Sequence, residues 1–374
     1  MHKFNQEKYL DDLKKLVNID SGSRNPAGTA QVAQILAGKY KELGWQITEH
    51  NFDSSIGPCL EIVNSTREKY DVLLIGHLDT VFPEGTATVR PFTIEGDKAY
   101  GPGVNDMKSG DLLMYYALKD LEEKGLLKEA GICVAYNSDE EISSRYSRSW
   151  IEELAKKSSR VLILEAARAN GALVKERKGV GRFNIEFTGV AAHSGVDHEK
   201  GCSAVNELAH WILELHSLTN YDLGTTVNVG VVSGGTASNV VADKAQIQVD
   251  LRIREISEEE RVIAALNNLK ANPRTPGVAV AVTGGMTRPP MNANEKTEEL
   301  CSLVERIGEK IGVEIKWTGT GGGSDGNFSA ALGIPTIDGL GPVGGGSHSA
   351  NEYLEINSIE PRFNLLREII LNLV

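Results

Sequence analysis

The chain has 374 residues, of which 41% are hydrophobic and 24% are charged, and its formal charge at pH 7 is −12. A single hydrophobic core stops growing at about 250–300 residues, so this length predicts two domains. The composition is that of a folded globular protein, and the negative charge disfavours binding to nucleic acid or to an anionic membrane surface.

Hydrophobic periodicity predicts alternating helices and strands in the first half of the chain. Helices are expected at residues 7–18 and 29–43, and the apolar run at residues 72–75 is typical of a buried parallel strand. The next predicted elements are a helix at 109–124, a strand at 132–136, a helix at 149–157 and a strand at 161–164. This alternation predicts an α/β domain whose mixed, mostly parallel sheet carries helices on both faces.

From about Lys178 the pattern changes to the order β-α-β-β-α-β, which is that of the ferredoxin-like motif. Its predicted elements are a strand at 182–188, a helix at 203–217, strands at 226–232 and 245–253, a helix at 257–272 and a strand at 277–283. The α/β pattern then resumes, with a helix at 298–311 and a last helix from about Pro361. We therefore predict that residues 178–289 form a domain inserted into one made of residues 1–177 and 290–374.

The chain shows no sign of export or membrane insertion. Its N-terminus has no apolar signal region, and no segment approaches the ~20 consecutive apolar residues of a membrane span. The four cysteines contain no CxxC pair, which argues against a disulfide framework and against a thiolate zinc site. A cytoplasmic location with free thiols is the expectation.

Histidines and acids follow several predicted strands and Gly-rich turns. They are His77, Asp79, Asp106, Glu140, Glu141, Glu165 and His348. Taken singly, each has an ordinary explanation, such as a turn pair, a helix N-cap, a surface acid or a core histidine. Together they occupy the strand ends where ligand sites form in α/β sheets, and mixed His and carboxylate ligands without Cys suit a catalytic zinc site.

Seven segments make a family resemblance specific. They are GHLDTVF, GPGVNDMKSG, NSDEE, LILEAAR, GVAAHSG, GTASNVV and GGGSHSANEY, spread from about residue 71 to residue 353. In this order and at these separations the chain resembles the M20 family of metallopeptidases. Arg288-Pro-Pro and the Gly-rich segment at 321–326 resemble the glutamate carboxypeptidase branch in particular.

The resemblance implies a zinc-peptidase-like catalytic domain that binds two Zn²⁺ ions per chain, for which Co²⁺ or Mn²⁺ could substitute. One ion would be held by His77, Asp106 and Glu165. The other would be held by Asp106, Glu141 and His348, so that Asp106 bridges the two ions. The resemblance also implies that the peptide bond following Asp106 is cis.

Further roles follow from the same resemblance. Glu140 matches the general base, and Asp79 matches the acid that supports His77. The inserted domain corresponds to a lid and dimerisation domain, in which His193 would reach the substrate from the partner subunit of a homodimer. The implied substrate-binding residues are Arg288, which would hold a free α-carboxylate, Asn239 and Gly323. After Glu165 the run Ala-Ala-Arg-Ala departs from the branch, which leaves side-chain specificity open.

The predicted function is hydrolysis of an amide bond next to a free carboxylate, releasing a C-terminal amino acid such as glutamate from a small peptide or an N-acyl amino acid. An N-acyl-amino-acid deacylase and a di- or tripeptidase are the alternatives within the family. Gly321, Gly323 and Gly326 formally fit G-x-G-x-x-G, so a nucleotide-dependent oxidoreductase is a remote alternative. An inactive binding protein built on the hydrolase fold is another.

Overall fold

The protein divides into two units whose buried hydrophobic residues form separate cores, two in the first unit and one in the second. The structure is a computed structural model and describes residues 4–374. The first unit comprises residues 4–176, 292–320 and 324–374, and the second comprises residues 177–291 and 321–323. The predicted α/β class with a mixed sheet is confirmed in the first unit.

The first segment contains α1 (Gln6–Val17), α2 (Pro26–Glu42), β1 (Gln46–His50), β2 (Cys59–Val63), β3 (Val72–His77), α3 (Thr86–Val89), β4 (Thr93–Glu95), β5 (Lys98–Tyr100), α4 (Lys108–Glu123), β6 (Ile132–Asn137), α5 (Arg148–Lys156), β7 (Val161–Ile163) and β8 (Leu173–Arg177). The second unit contains β9 (Gly179–Thr188), α6 (Ala204–Ser217), β10 (Thr226–Gly234), β11 (Lys244–Ile253), α7 (Ser257–Ala271) and β12 (Ala279–Arg288). The last segment contains α8 (Glu295–Ile311), β13 (Trp317–Thr320), α9 (Gly326–Ala331), β14 (Thr336–Ile337), β15 (Gly344–Gly345), β16 (Tyr353–Glu355) and α10 (Ile359–Leu373).

The main sheet of the first unit has the strand order β1-β2-β6-β3-β7-β14. Strands β6, β3, β7 and β14 run parallel, whereas β1 and β2 are antiparallel additions at one edge. Val72 and Leu74 pack into one core, and Leu73 and Ile75 pack into a second core with Trp150 of α5. Because both faces are covered, β3 is apolar at each of its first four positions rather than at alternate ones.

The sheet of the second unit is antiparallel, with the order β10-β11-β9-β12. Its core includes Phe187 of β9, Trp211 of α6 and Val262 of α7. The backbone of the short segment 321–323 is tied to this unit, since Arg252 Nη1 donates to the Gly321 carbonyl at 3.2 Å. The second unit therefore has two layers, one formed by its two helices and the other by its four strands.

Several element boundaries differ from the predicted ones for local reasons. Helix α2 begins at Pro26, three residues before the predicted start, because Asn25 caps it by accepting the Gly28 N–H at 3.0 Å. Helix α8 likewise begins at Glu295 behind the cap Asn294.

A second sheet of the first unit, ordered β15-β16-β5-β4, has no counterpart among the predicted elements. Its strands of two or three residues are too short to show a period-two pattern. Among the described residues, no helix is both long and apolar enough to cross a membrane.

Candidate active site

The ends of three neighbouring parallel strands bring the predicted ligand segments together. Strand β3 ends at His77, which lies level with Asn137 at the end of β6. Strand β7 is aligned so that Ile75 of β3 faces Ile163, and Glu165 follows two residues later. The side chains after these strands therefore meet at one edge of the sheet, where α/β proteins form their ligand sites.

Two histidines and three acids form two adjacent clusters at this edge. His77 Nε2 lies 3.2 Å from Asp106 Oδ1 and 3.6 Å from Glu165 Oε1. His348 Nε2 lies 3.2 Å from Asp106 Oδ2 and 3.2 Å from Glu141 Oε2. The two carboxylate oxygens of Asp106 thus face different histidines. The peptide bond between Asp106 and Met107 is cis, as predicted.

These residues fit a metal centre by their chemistry and by their spacing. Two sets of three residues each offer potential ligand atoms that lie within 4.8 Å of one another. One set is His77, Asp106 and Glu141, and the other is His77, Glu140 and Glu165. Glu141 Oε1 is buried and has no hydrogen-bond partner, a deficit that a cation would remove. Imidazole nitrogen and carboxylate oxygen without thiolate are typical ligands of catalytic zinc.

The pKa shifts show that the cluster carries excess negative charge. Burial lowers the pKa of His77, but the carboxylates of Asp106, Asp79 and Glu165 outweigh it and raise that pKa well above its ordinary value. Hydrogen bonds to Asp106 and Glu141 raise the pKa of His348 to about 11. Both histidines therefore hold protons at the positions where a cation would bind, so metal and protons compete for them.

The acids respond to the same charges in opposite ways. Burial raises the pKa of Asp106, but the hydrogen bonds from His348 and His77 outweigh it and hold that pKa well below its ordinary value. Burial raises the pKa of Glu141 to about 7, and only part of this rise is offset by the hydrogen bond from His348. Asp106 is accordingly ionised at neutral pH, as a carboxylate that could bind a cation must be.

Asp79 supports two parts of the site at once. Its Oδ1 lies 3.5 Å from His77 Nδ1, and its main-chain oxygen lies 3.0 Å from the same nitrogen. Its carboxylate also accepts the backbone N–H groups of Glu140 and Glu141, each at 3.1 Å, and the hydroxyl of Ser23 at 2.6 Å. Asp79 therefore holds the turn that carries Glu140 as well as the ring of His77.

Glu352 is a residue of the site that sequence reasoning missed. Its buried carboxylate accepts the backbone N–H groups of Gly103 at 3.1 Å, Asn105 at 2.8 Å and Asp106 at 2.9 Å. It thereby fastens the Gly-rich turn before Asp106 to the segment that contains His348. The available signal was its place in GGGSHSANEY, four residues after His348.

A buried polar network beneath the Glu140–Ile142 turn was also missed. Asp325 accepts hydrogen bonds from Asn137 Nδ2 at 2.8 Å and from the Ser144 hydroxyl. Ser144 has a φ of 49°, in the left-handed region that non-glycine residues seldom adopt. In the sequence Asp325 stands out only as part of the Gly-rich segment 321–326. Its carboxylate instead accepts hydrogen bonds inside the first unit.

The remaining predicted site residues lie in the second unit and form two pairs there. His193 and Asn239 are exposed and belong to adjoining turns, since Ser194 N donates to the Asn239 carbonyl at 3.0 Å. Arg288 is buried beside Gly323, where a Cβ atom would lie 2.7 Å from the arginine Cδ. Glycine at position 323 therefore leaves room for the Arg288 side chain.

Comparison with known proteins agrees with this arrangement. The family model described as Peptidase family M20/M25/M40 matches residues 73–372. Carboxypeptidase G2 from Pseudomonas sp. (strain RS-16) is 31% identical over 375 residues, which cover 98% of this chain and 90% of that protein. The uncharacterized protein YqjE from Bacillus subtilis is 25% identical over 348 residues, which cover 89% of this chain and 90% of that protein.

Solved structures share the fold over the whole chain. Aminopeptidase PepT from Bacillus cereus aligns with a TM-score of 0.81 and 25% identity, covering 99% of each chain. The M20 family metallo-carboxypeptidase Sso-CP2 from Sulfolobus solfataricus aligns with a TM-score of 0.78 and 17% identity, covering 97% of this chain and 98% of that one. The family predicted from the sequence is thus confirmed, and the chain belongs to peptidase family M20/M25/M40.

Proposed function

We propose that this peptidase-family hydrolase uses two zinc ions to cleave an amide bond next to a free carboxylate, releasing a C-terminal amino acid such as glutamate from a peptide or an N-acyl conjugate. The observation that carries the proposal is Asp106, whose two oxygens each face a separate histidine with its own carboxylate partner. The identity to carboxypeptidase G2 supports the carboxypeptidase assignment.

His77, Asp106 and Glu165 would hold one ion, and Asp106, Glu141 and His348 the other. Bound there, two divalent ions would polarise the scissile carbonyl and lower the pKa of a water molecule. Co²⁺ or Mn²⁺ could take the place of zinc, because the ligands are nitrogen and oxygen atoms only.

Glu140 would act as the general base. It would take a proton from the attacking water and deliver that proton to the nitrogen of the leaving amine as the amide C–N bond breaks. The hydrogen bond from its backbone N–H to Asp79 supports this role, because Asp79 also contacts His77 and so fixes the Glu140–Ile142 turn next to that histidine. Glu140 also lies close to the ligand atoms of His77 and Glu165, so its role as base or as ligand must be tested.

The base and the ligands can be separated by two substitutions. Glu140→Gln should retain the bound metal and lose most turnover, because an amide cannot accept the proton. Glu141→Gln should weaken metal binding instead. Metal content and turnover measured on the same samples decide the roles, and a Glu140→Gln enzyme that turns over at the wild-type rate would remove Glu140 as the base.

We assign the second unit the role of a lid and dimerisation domain. Its strand order is that of the split β-α-β motif. Arg288 would hold the α-carboxylate of the substrate with Gly323 beside it, and His193 with Asn239 would reach the substrate, His193 from the partner subunit of a homodimer. The four cysteines are free, which suits the cytoplasmic location that we propose.

Mixing two inactive variants tests the assignment of His193. Heterodimers of His193→Ala and Glu140→Gln subunits should regain one working site if the histidine acts on the partner's centre. If activity does not return although subunit exchange is demonstrated, His193 does not act in trans.

A substrate panel tests the function as a whole. N-acyl-glutamates, other N-acyl amino acids and tripeptides should be compared by kcat/KM, and N-acyl-glutamates should be preferred. The likeness to aminopeptidase PepT, at 25% identity, favours an aminopeptidase as the second candidate. Preference for a tripeptide with a free amino terminus would establish that candidate instead.

A further inference from the structure

A cavity of about 480 Å³ in the first unit adjoins the candidate metal centre. The residues that line it include Arg24, Asn25, Phe82, Pro83, Glu141 and Ile142. Glu141 belongs both to this lining and to the proposed metal ligands. A substrate whose scissile carbonyl reaches the metal centre would therefore place one of its adjoining groups in this cavity, here called the Arg24 cavity.

The walls of the Arg24 cavity are fixed by hydrogen bonds to the site itself. The Ser23 hydroxyl donates to Asp79 at 2.6 Å, and the Ser23 N–H donates to the Thr80 carbonyl at 3.2 Å. On the other wall, Asp20 accepts the backbone N–H of Gly85 at 2.7 Å. Because these walls are already ordered, ligand binding does not lose free energy to ordering them.

Among the residues that line this cavity, Arg24 is the only arginine or lysine, and its positive charge is not paired with an acid. Its side chain is exposed and makes no hydrogen bond or ion pair with any residue of the range 4–374. Its backbone is held on both sides, by the buried Ser23 and by Asn25, which caps α2. The N-terminus of that helix adds positive potential at the same place. A guanidinium so placed suits a carboxylate, which it can bind through two N–H groups.

Two acids also line the cavity. Glu141 would have its charge neutralised by the metal ions that it helps to bind. Glu84 is exposed and does not pair with Arg24 within 4.0 Å, so the arginine remains available. The apolar walls at Phe82, Pro83 and Ile142 suit a hydrocarbon or aromatic spacer next to the charged end of a ligand.

We propose that the Arg24 cavity receives the acyl side of the substrate and that Arg24 recognises a carboxylate at the far end of the acyl group. The substrate class is then an amino acid acylated by a dicarboxylic acid. This inference rests on the proposed function, because it assumes that an acyl–amino acid bond is cleaved at the adjoining centre.

Two substrates of equal shape and different charge test the inference. They are 4-carboxybenzoyl-glutamate and 4-carbamoylbenzoyl-glutamate. The wild-type enzyme should prefer the first by about 1.5- to five-fold in kcat/KM, the range expected for an ion pair open to solvent. Arg24→Gln should abolish this preference and Arg24→Lys should keep part of it. Rising salt should reduce the preference.

Arg306→Gln is the matched control, since Arg306 is an exposed arginine of the first unit on α8, outside the cavity. It should leave the preference unchanged. An equal preference in the wild type and in Arg24→Gln would refute the inference while leaving the proposed function intact. A preference for a cationic acyl group that disappears in Glu84→Gln would overturn it in favour of Glu84. Absence of turnover with every acyl-amino acid would refute the proposed function and the inference together.

Discussion

Replacing Glu352 by glutamine should destabilise the first unit and weaken metal binding. Glu352 Oε1 accepts the N–H groups of Asn105 and Asp106, and Oε2 accepts that of Gly103. In the variant one oxygen becomes an NH₂ group, so at most two of these three bonds remain. A buried N–H without an acceptor costs about 1–3 kcal/mol, so the free energy of unfolding should fall by about that amount.

The same change should reach the metal centre through Asp106. When the turn loosens, the Asp106 carboxylate is no longer held between His77 and His348. Loss of a residue that supports a metal ligand typically weakens metal binding by about 10- to 100-fold. Denaturant unfolding of the metal-free protein measures the first effect, and competition with a chelator measures the second. Glu68→Gln, at an exposed position, should change stability by less than about 0.5 kcal/mol. A Glu352→Gln protein that matches this control in both assays would refute the reasoning.

Asp79→Asn should lower metal affinity by about 10- to 100-fold, because the Asp79 carboxylate holds both the ring of His77 and the Glu140–Ile142 turn. Competition with a chelator measures the metal affinity, and an unchanged affinity would contradict the prediction. Lowering the pH from about 8 to about 6 should weaken metal binding, because protons compete for the same histidines; calorimetry should detect proton release, and a pH-independent affinity would count against the site. Asp12→Asn should lower the free energy of unfolding by about 2 kcal/mol at neutral pH. Hydrogen bonds from Lys39, Lys15 and Tyr116 outweigh the opposing effect of burial and lower the pKa of Asp12 from 3.8 to about 2. That stability is present above the ordinary pKa and is lost as the pH falls from about 4 to about 2, so urea unfolding should show the variant and the wild type converging there.

The elements that could be predicted are those with a local cause. Strand β3 is apolar at each of its first four positions because helices cover both faces of its sheet, and α1 carries its buried residues at helical spacing. Strand β12 was predicted to end near residue 283, yet it continues to Arg288 through Gly284 and Gly285. Two glycines weaken a strand pattern, and the pairing of this stretch with β9 overrides them.

The polar supports of the site could not be predicted in the same way. Glu352 meets the Gly103 amide across 249 positions of sequence, and Asp325 meets Asn137 across 188. Neither acid shows a period or a spacing that a short window detects, because its partners are backbone groups or side chains of distant segments. The ligands themselves stood out only because they follow strand ends and Gly-rich turns in a family-like order.

The acids around the centre show why cations and the folded state are linked. Asp79 and Asp106 both lie next to His77, and Asp111 is a further buried acid whose two carboxylate oxygens have no hydrogen-bond partner. Burial raises the pKa of Asp111 well above its ordinary value, and the charges of Glu165 and Asp79 act in the same direction. The carboxylates of the site also raise the pKa values of His77 and His348, so metal that binds there would compete with protons for the two imidazoles. Because a preformed set of ligands from separate segments exists only in the folded chain, the free energy of metal binding adds to the free energy of unfolding of the first unit.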